Sequence, residues 1–365
     1  MDKAFIKLVE KFDISGKLVS LERYGEGHIN TTYLAIVENE EKKTPYILQK
    51  INNKVFKDVE GLMNNIKLVT EFNRKKIIER GGNPDRESLS LVYLKDGGAY
   101  YYNDDDGGYY RMYKFITDAV AYQKIEKEEH FYQSAVAFGN FANLLAEFDA
   151  KVLNETIKDF HNTEKRYENL INSINADKVG RAKDVQAEIK FATDRKDLCS
   201  IIVSLLNSGK MPVKVTHNDT KLNNVMLDEK TGAPVAVIDL DTIMPGSICY
   251  DFGDSIRFGC NTAKEDEKDL SKVNFDLNLF RVYANGYLTA LGDSVTAVEK
   301  DNLALGAILM TYECGIRFLS DYLDGDVYFR TEREDQNLDR CRTQFKLVEE
   351  MEKNYDLMRE IINEY

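Results

Sequence analysis

The stretch THNDTKLNNVMLD at residues 216–228, followed by VIDLDTI at residues 237–243, decides the fold of this chain. Runs rich in Val, Ile and Leu surround the polar residues, and such runs are typical of short strands. Asp219 and Asn224 fit the pattern H-x-D-x-x-x-x-N in a loop, and Asp239 follows at the end of the next strand. The pattern predicts a carboxylate at the tip of a loop, accompanied by an amide and a second carboxylate.

These residue types suit phosphoryl transfer to a hydroxyl group. The reaction needs a carboxylate to accept the hydroxyl proton, and Asp219 is the candidate. It also needs hard oxygen ligands for Mg²⁺, which Asn224 and Asp239 would supply. His217 is expected to support the loop through a hydrogen bond rather than to react. Asp241 could be a second metal ligand or could hold the loop, and the sequence leaves both roles open.

A polar turn between two strands would also be rich in Asp and Asn. The position of Asp239, at a strand end fifteen residues after Asn224, favours the catalytic interpretation. A literal DFG string occupies Asp251 to Gly253, but it lies too far beyond the strand to supply the metal-binding carboxylate. We expect Asp251 and Asp254 to brace the loop instead.

The first third of the chain has the pattern of an antiparallel sheet. Between residues 17 and 116, β-branched and aromatic runs are bounded by Gly, Asn and Asp, and Asn103 to Gly108 has the composition of a hairpin turn. Residues 56–80 instead carry apolar side chains at helical spacing. We predict a small lobe of five strands and one helix.

This small lobe is expected to bind the nucleotide. Gly25 and Gly27 lie in a turn between two strands, where glycine lets the backbone approach phosphates closely. Lys50 ends a following strand and would hold the phosphates, with Glu60 favoured over Glu71 as the helix carboxylate that orients it. The chain has no GxxxxGK[ST] string, which disfavours a P-loop enzyme.

Beyond residue 118 the apolar period becomes mainly helical. No Pro-rich linker or repeat interrupts the chain, so we predict a nucleotide-binding lobe at 1–117 and a catalytic and substrate-binding lobe at 118–365. The predicted fold class is α+β: a two-lobed, protein-kinase-like fold with a small antiparallel sheet lobe containing one helix and a larger, mainly α-helical lobe.

The composition excludes several classes of protein. The 365 residues are 43% hydrophobic, with a net charge of −13 and a pI near 5.0. Nucleic-acid binding requires clustered Lys and Arg, so no nucleic-acid partner is expected. Five scattered cysteines form no CxxC pair, and we expect no run to approach the roughly 18 apolar residues of a membrane span. We expect a cytoplasmic protein without a membrane partner, either a monomer or a small homo-oligomer.

The chain resembles the aminoglycoside phosphotransferase and choline kinase superfamily, and within it most resembles the N-acetylhexosamine 1-kinases. Beside the catalytic loop, the likeness rests on the strings YGEGHINTTYLA, YILQKIN, YRMYKFI, FHNTEKRY, VIDLDTIMPGSICYDFGDSIRFG and ECGIRFLSDYLDGDVYFR. The resemblance implies ATP, Mg²⁺ and a small sugar, N-acetylglucosamine or N-acetylgalactosamine, phosphorylated at the C1 hydroxyl. It further implies that Asp219 deprotonates that hydroxyl and that Arg317 and Tyr328 bind the sugar.

Arg317 can also be judged from its surroundings in the sequence. It lies in an otherwise apolar helical pattern, where a guanidinium is costly to bury without a polar partner. That partner could be a ligand, or it could be Glu313 or Asp321 one turn away. His161 and Arg166 could line a sugar pocket or cap a helix, and the sequence does not separate these roles.

Three competing functions remain open. The acceptor could be another small molecule, such as choline, homoserine or an aminoglycoside, since an acidic chain could build a cage for a cation. The carboxylates could belong to a metal-dependent hydrolase, although such a site usually recruits several His or Glu ligands and the chain has four His. A non-catalytic nucleotide-binding protein would have no need for base, metal ligands and Lys together.

Overall fold

The computed structural model describes residues 3–25, 29–95, 97, 101–103 and 107–365. The chain forms two compact units. The first unit contains Met1–Val120, Lys151–Lys158 and Val225–Met244. The second unit contains Ala121–Ala150, Asp159–Asn224 and Pro245–Tyr365. The chain therefore leaves the first unit after residue 120 and returns to it twice.

Eleven strands occur within the described residues. They are β1 (Lys17–Arg23), β2 (Thr31–Glu38), β3 (Lys43–Ile51), β4 (Leu91–Val92), β5 (Tyr101–Asn103), β6 (Tyr109–Lys114), β7 (Ala119–Val120), β8 (Lys214–Thr216), β9 (Val225–Asp228), β10 (Pro234–Val237) and β11 (Met244–Gly246). β8 and β11 pair with each other, and the strands that build the first unit are described next.

The main sheet of the first unit is antiparallel and has the strand order β1-β2-β3-β6-β4, with β5 also paired to β6. The predicted antiparallel sheet is confirmed, and β5 pairs with β6, but residues 104–106 of the predicted hairpin turn lie outside the described residues. The sheet has six strands where five were predicted. β4 and β5 are only two and three residues long, and strands this short show no alternation that a sequence pattern could count reliably.

Twelve α-helices occur within the described residues, the first three in the first unit and the others in the second. They are α1 (Lys3–Val9), α2 (Val59–Glu79), α3 (Pro84–Glu87), α4 (Glu128–Leu144), α5 (Thr163–Ala176), α6 (Gln186–Asp194), α7 (Ile201–Asn207), α8 (Ile248–Gly259), α9 (Leu277–Leu291), α10 (Ala297–Asp324), α11 (Gln336–Lys353) and α12 (Tyr355–Asn363). A sheet-rich first unit and a helical second unit confirm the α+β fold class.

The predicted helix over 56–80 is α2. It begins after Asp58, whose carboxylate accepts a hydrogen bond from the Gly61 N–H at 2.8 Å and so satisfies one free donor of the first turn. Its buried face includes Asn65, whose amide donates to the carbonyls of Asn154 and Ile243 at 2.8 and 3.0 Å. Through Asn65, α2 fixes the two segments that return to the first unit from later in the chain.

A small three-stranded sheet carries the end of the second polar motif. Its strand order is β10-β9-β7, and the hairpin of β9 and β10 leads directly into Asp239. Asp239 has a left-handed backbone with φ 59°, and a short 3-10 helix, Leu240–Thr242, follows it. Non-glycine residues rarely adopt this conformation, although Asp is among those that tolerate it best.

The second unit is built around α10. The helix begins with a capping box, in which Thr296 and Glu299 satisfy each other's backbone N–H groups, and ends at Gly325 with φ 97°. Contrary to our expectation from the sequence, α10 is long and apolar enough to cross a membrane, with a hydropathy of 1.3 over its most apolar window. That window is 83% buried inside the protein, as expected for a central core helix.

Candidate active site

Two aspartates of α8 hold the loop that carries Asp219. The backbone N–H groups of His217 and Asn218 each donate to the Asp251 carboxylate at 2.8 Å. The Thr220 N–H donates to Asp254 at 3.1 Å. The DFG string is thus part of a helix, and its aspartate braces the loop as predicted. Burial raises the pKa of Asp251, although the nearby His217 ring and the two backbone donors act in the opposite direction.

His217 supports the loop from within, as expected. Its ring is fully buried, lies edge-on to the rings of Phe138 and Phe141, and accepts a hydrogen bond at Nδ1 from the backbone N–H of Asp219 at 3.3 Å. Asn218 has φ 64°, so the backbone turns sharply just before Asp219. This turn and the contacts of His217 present the Asp219 side chain at the tip of the loop.

Asp219 and Asn224 are in direct contact. The Asn224 amide donates to the Asp219 carboxylate at 3.0 Å and to the Asp219 carbonyl at 2.8 Å. Its other polar atom, Oδ1, makes no hydrogen bond to any described residue. The Asp219 side chain remains 30% exposed. The second unit therefore joins a solvent-accessible carboxylate to an amide that has a free oxygen.

Lys221 is a further residue of this loop that our sequence reasoning missed. Its ammonium group lies 2.8 Å from Asp219 Oδ1. Burial alone would lower the pKa of Lys221, but the charges of Asp219 and Asp254 raise it above its usual value. The signal in the sequence was the position of a cation two residues after the candidate base, inside the same motif. A lysine held there can neutralise negative charge that approaches Asp219.

In the first unit, Asp239 and Asp241 have opposite environments although only one residue separates them. The Asp239 side chain is exposed, whereas Asp241 is 4% exposed. One Asp241 oxygen forms an ion pair with Arg111 at 2.5 Å, and the other accepts a hydrogen bond from the Asn30 amide at 2.5 Å. Both Asp241 oxygens have protein partners, as the holding role that the sequence left open would require, while the Asp239 side chain is exposed.

The predicted phosphate-binding residues are distributed over the first unit. Gly25 has φ 72°, in the left-handed region that glycine adopts readily, while Gly27 lies outside the described residues. Lys50 is half-buried near the end of β3, with its ammonium group 5.4 Å from the centre of the Tyr110 ring. Glu60 is exposed in the first turn of α2. Glu71 accepts a hydrogen bond from the Tyr93 hydroxyl at 2.9 Å.

A cavity of about 500 Å³ opens in the second unit and brings together the two residues that the resemblance assigned to the sugar. Arg317 and Tyr328 both line it, and so does Arg166. The Arg317 guanidinium lies between the rings of Phe160 and Phe329, at 6.0 and 5.5 Å from their centres. Tyr328 is 72% exposed. The structure thus places Arg317 and Tyr328 at one concave surface.

The Arg317 guanidinium makes no ion pair or hydrogen bond with any residue that the structure describes. The two neighbouring acids have other partners. Glu313 accepts hydrogen bonds from His161 at 2.9 Å and from Thr163 at 2.7 Å. Asp321 accepts three backbone N–H bonds from residues 327–329 and one from the Asn337 amide. In the structure, Arg317 therefore does not pair with Glu313 or Asp321 of its own helix.

His161 and Arg166 surround the base of α5, and neither of them caps it. Asn162 is the cap, and its side chain accepts from the Lys165 N–H. The Arg166 guanidinium donates twice to the Phe160 carbonyl, at 3.1 and 2.8 Å. Burial, followed by the charge of Arg317, lowers the pKa of Arg166. Arg166 therefore adds a second positive charge to the cavity that Arg317 lines.

A sequence model of the phosphotransferase enzyme family (APH) matches residues 20–287, which is more than half of the chain. The chain belongs to this APH phosphotransferase family. Its catalytic type is accordingly that of a small-molecule phosphotransferase. The resemblance to the aminoglycoside phosphotransferase and choline kinase superfamily is confirmed at this level.

Solved structures of similar fold support the same assignment of architecture. A choline kinase from Cryptosporidium parvum Iowa II is 13% identical with a TM-score of 0.54, and the match covers 95% of this chain and 92% of that one. A spectinomycin phosphotransferase in complex with ADP and spectinomycin is 13% identical with a TM-score of 0.52 and 98% coverage of both chains. The GDP complex of an aminoglycoside 2'-phosphotransferase is 11% identical with a TM-score of 0.51, covering 97% and 95%. At these identities the likeness shows the kinase-like fold alone.

Asn224 in the second unit and Asp239 in the first unit each have the chemistry of a magnesium ligand. Asn224 Oδ1 has no hydrogen-bond donor among the described residues, and the Asp239 carboxylate is exposed, so each offers a hard oxygen. Across the described ranges, no group of three or more His, Cys, Asp or Glu is arranged to hold a metal ion. Carboxylate and amide oxygens suit Mg²⁺, which takes few protein ligands and several phosphate oxygens.

A test of Lys221 follows from its ion pair with Asp219. We expect Lys221→Met to lower kcat by about 10²-fold, because a preorganised cation beside the reacting group stabilises the charge that develops during transfer. The KM for the acceptor should change little. Lys230→Met, on an exposed turn, is the matched control, and ADP release measured for both variants decides the role. Equal kcat values for Lys221→Met and the control would remove Lys221 from the reaction.

Proposed function

We propose that this phosphotransferase moves the γ-phosphoryl group of ATP to the C1 hydroxyl of an N-acetylhexosamine, N-acetylglucosamine or N-acetylgalactosamine, with Mg²⁺, in the cytoplasm. The observation that carries the choice of acceptor is the Arg317 guanidinium, which has no described partner and lies in the cavity that Tyr328 also lines. The family assignment supports the reaction type.

The charges of the cavity favour a neutral, hydrogen-bonding acceptor over a cationic one. Arg166 and Arg317 both line the cavity, while the acids there have partners: Asp321 accepts four hydrogen bonds, and Asp324 pairs with Lys178 at 2.8 Å. Three cations (Arg166, Lys178 and Arg317) and two carboxylates (Asp321 and Asp324) line the cavity, so a cationic acceptor such as choline or an aminoglycoside would meet a net positive lining. A sugar with an acetamido carbonyl and several hydroxyl oxygens offers the acceptors that a guanidinium needs.

In the proposed reaction, the Asp219 carboxylate takes the proton of the sugar C1 hydroxyl as its oxygen attacks the γ-phosphorus. The bond between that phosphorus and the β,γ-bridging oxygen breaks, and ADP leaves with the electron pair. Asn224 and Asp239 are the proposed ligands of Mg²⁺, which would neutralise charge on the phosphates. Gly25, Gly27 and Lys50, with Glu60 in support, are proposed to bind the triphosphate.

An acceptor screen tests the proposal directly. ADP release is measured with N-acetylglucosamine, N-acetylgalactosamine, choline, homoserine and kanamycin, and the product is examined by phosphorus NMR. We expect turnover with an N-acetylhexosamine and a phosphorus signal coupled to the anomeric proton. Turnover of choline, homoserine or kanamycin without turnover of either amino sugar would overturn the choice of acceptor and leave the phosphotransferase assignment intact.

The role of Arg317 gives a second test. Truncation of Arg317 to Ala should raise the KM for the sugar about 10- to 100-fold, because a hydrogen bond from a charged group contributes roughly 1.5–3 kcal/mol. The KM for ATP should stay close to that of the parent enzyme. Arg330→Ala is the control, since Arg330 is exposed and does not line the cavity. If both variants kept the parent's KM for the sugar, Arg317 would have no contact with the acceptor.

A further inference from the structure

Arg111 is a charged residue in a place where a charge is strongly unfavourable. It lies in the middle of β6, is 1% exposed, and is among the largest side chains that are fully buried in the protein. A guanidinium removed from water must be paired and hydrogen-bonded, and replacement of a buried ion pair by apolar residues is often neutral or stabilising. The stability of the fold is therefore a weak reason for an arginine here.

The guanidinium is held on several sides within the first unit. It forms the ion pair with Asp241 and donates through Nε to Gln49 Oε1 at 2.9 Å. The Gln49 amide in turn donates to the Thr32 hydroxyl at 3.0 Å. The Tyr113 ring lies 5.3 Å away. Burial alone would lower the pKa of Arg111, but the charges of Asp241 and, less strongly, Asp239 raise it, so the guanidinium stays charged.

The same carboxylate connects this arginine to the turn after β1. Asp241 Oδ2 accepts from the Asn30 amide at 2.5 Å, while Asn30 Oδ1 accepts from the backbone N–H of Asn52 at 2.9 Å. The Asn52 amide donates to the Ile29 carbonyl at 3.2 Å. Asn30 therefore connects residues 29–30 to Asn52, just beyond Lys50. Through Asp241 it also connects them to the short helix Leu240–Thr242, which follows Asp239.

We propose that Arg111, Asp241 and Asn30 are positioning residues that fix the left-handed turn at Asp239 and residues 29–30, just before β2, relative to each other. The inference rests on the proposed function, because it takes Asp239 as the ligand of the nucleotide-bound metal. Asp241 has a protein partner on each oxygen, and these two contacts hold the backbone two residues after Asp239. Partners that orient a metal ligand commonly change metal affinity 10- to 100-fold when removed.

The alternative is that the Arg111–Asp241 ion pair only stabilises the sheet. A double variant distinguishes this stabilising role from the positioning role. Arg111→Met combined with Asp241→Leu removes both charges while keeping much of their volume, so the first unit should remain folded. Mn²⁺ binding to the enzyme with a non-hydrolysable ATP analogue is measured by proton relaxation enhancement, and folding by urea denaturation. We expect the dissociation constant of Mn²⁺ in the complex to rise about tenfold, with the urea midpoint close to that of the parent.

The matched control is Arg74→Met combined with Asp85→Leu, an ion pair of 2.6 Å between α2 and α3 of the same unit. It should leave the Mn²⁺ affinity unchanged. Parental Mn²⁺ affinity in the folded Arg111/Asp241 double variant would overturn the proposal. If that variant fails to fold, Asn30→Ala replaces it, with an expected loss of about threefold in affinity, and an unchanged affinity there has the same meaning.

The result is independent of the sugar. Since the measurement uses metal and nucleotide alone, a loss of Mn²⁺ affinity would stand even if the enzyme phosphorylated no N-acetylhexosamine in the acceptor screen. The parent enzyme could turn over the amino sugar while the double variant kept its Mn²⁺ affinity. That outcome would leave the proposed function in place and remove the positioning role of Arg111.

Discussion

Asp219→Asn should lower kcat by about 10³-fold while the affinity for ATP changes by less than about twofold. The carboxylate is the proposed acceptor of the hydroxyl proton, and an amide cannot take that proton at neutral pH. The substitution preserves size and one acceptor oxygen, which can still receive the hydrogen bond that the Asn224 amide now donates at 3.0 Å. The loop should keep its shape, so the loss reports on chemistry.

Steady-state ADP release gives kcat, and isothermal titration of ATP gives the affinity of the same preparation. Asp293→Asn, on an exposed residue of the second unit, is the control for the loss of one negative charge and should behave as the parent does. Turnover by Asp219→Asn at the rate of this control would show that another group accepts the proton. Loss of ATP binding in Asp219→Asn would instead indicate a collapsed loop.

Asp251→Asn should destabilise the second unit by about 3 kcal/mol and also lower kcat. The buried carboxylate accepts the backbone N–H groups of His217 and Asn218, each at 2.8 Å. An amide in its place must turn an N–H donor toward one of these donors, which leaves a buried group unsatisfied. The loop that presents Asp219 then loses one of its fixed points.

The measurement is urea denaturation of the second unit, followed by a probe within it, together with kcat at a temperature where the variant is folded. Thr289→Ala is a suitable control, because its hydroxyl bonds only to Asn285 within the solvent-facing part of α9. A variant Asp251→Asn with parental stability would mean that the two backbone donors are not held by this carboxylate in solution.

Local patterns in the sequence predicted the elements that have their own periodicity or motif. The helix α2 and the pairing of β5 with β6 depend on residues close together in the chain, and the structure has both. The bracing contact of Asp251 joins it to His217, 34 positions earlier, and was predicted from the spacing of the motif. The strand count was wrong by one because two- and three-residue strands exist only through their neighbours. The pairing of β4 with β6 joins residues at least 20 positions apart, a tertiary effect that no local pattern encodes.

The contacts that give residues their roles join distant parts of the chain. Arg111 and Asp241 are 130 positions apart, and nothing near Arg111 in YRMYKFI distinguishes a buried, paired guanidinium from an exposed one. Arg317 was a candidate from its apolar surroundings. Its neighbouring acids, Glu313 and Asp321, already have other partners. The partner His161 reaches Glu313 only because α5 packs against α10. Lys221 was visible in the motif and was overlooked.

The composition of α10 has a consequence for how this enzyme must be produced. A segment apolar enough for a bilayer is harmless only while neighbouring helices cover it. α10 leaves the ribosome before α11 and α12 do, so the nascent chain passes through a stage in which this segment is uncovered and can bind chaperones or other unfinished chains. Slower synthesis at low temperature should therefore improve the soluble yield more than any change to the surface.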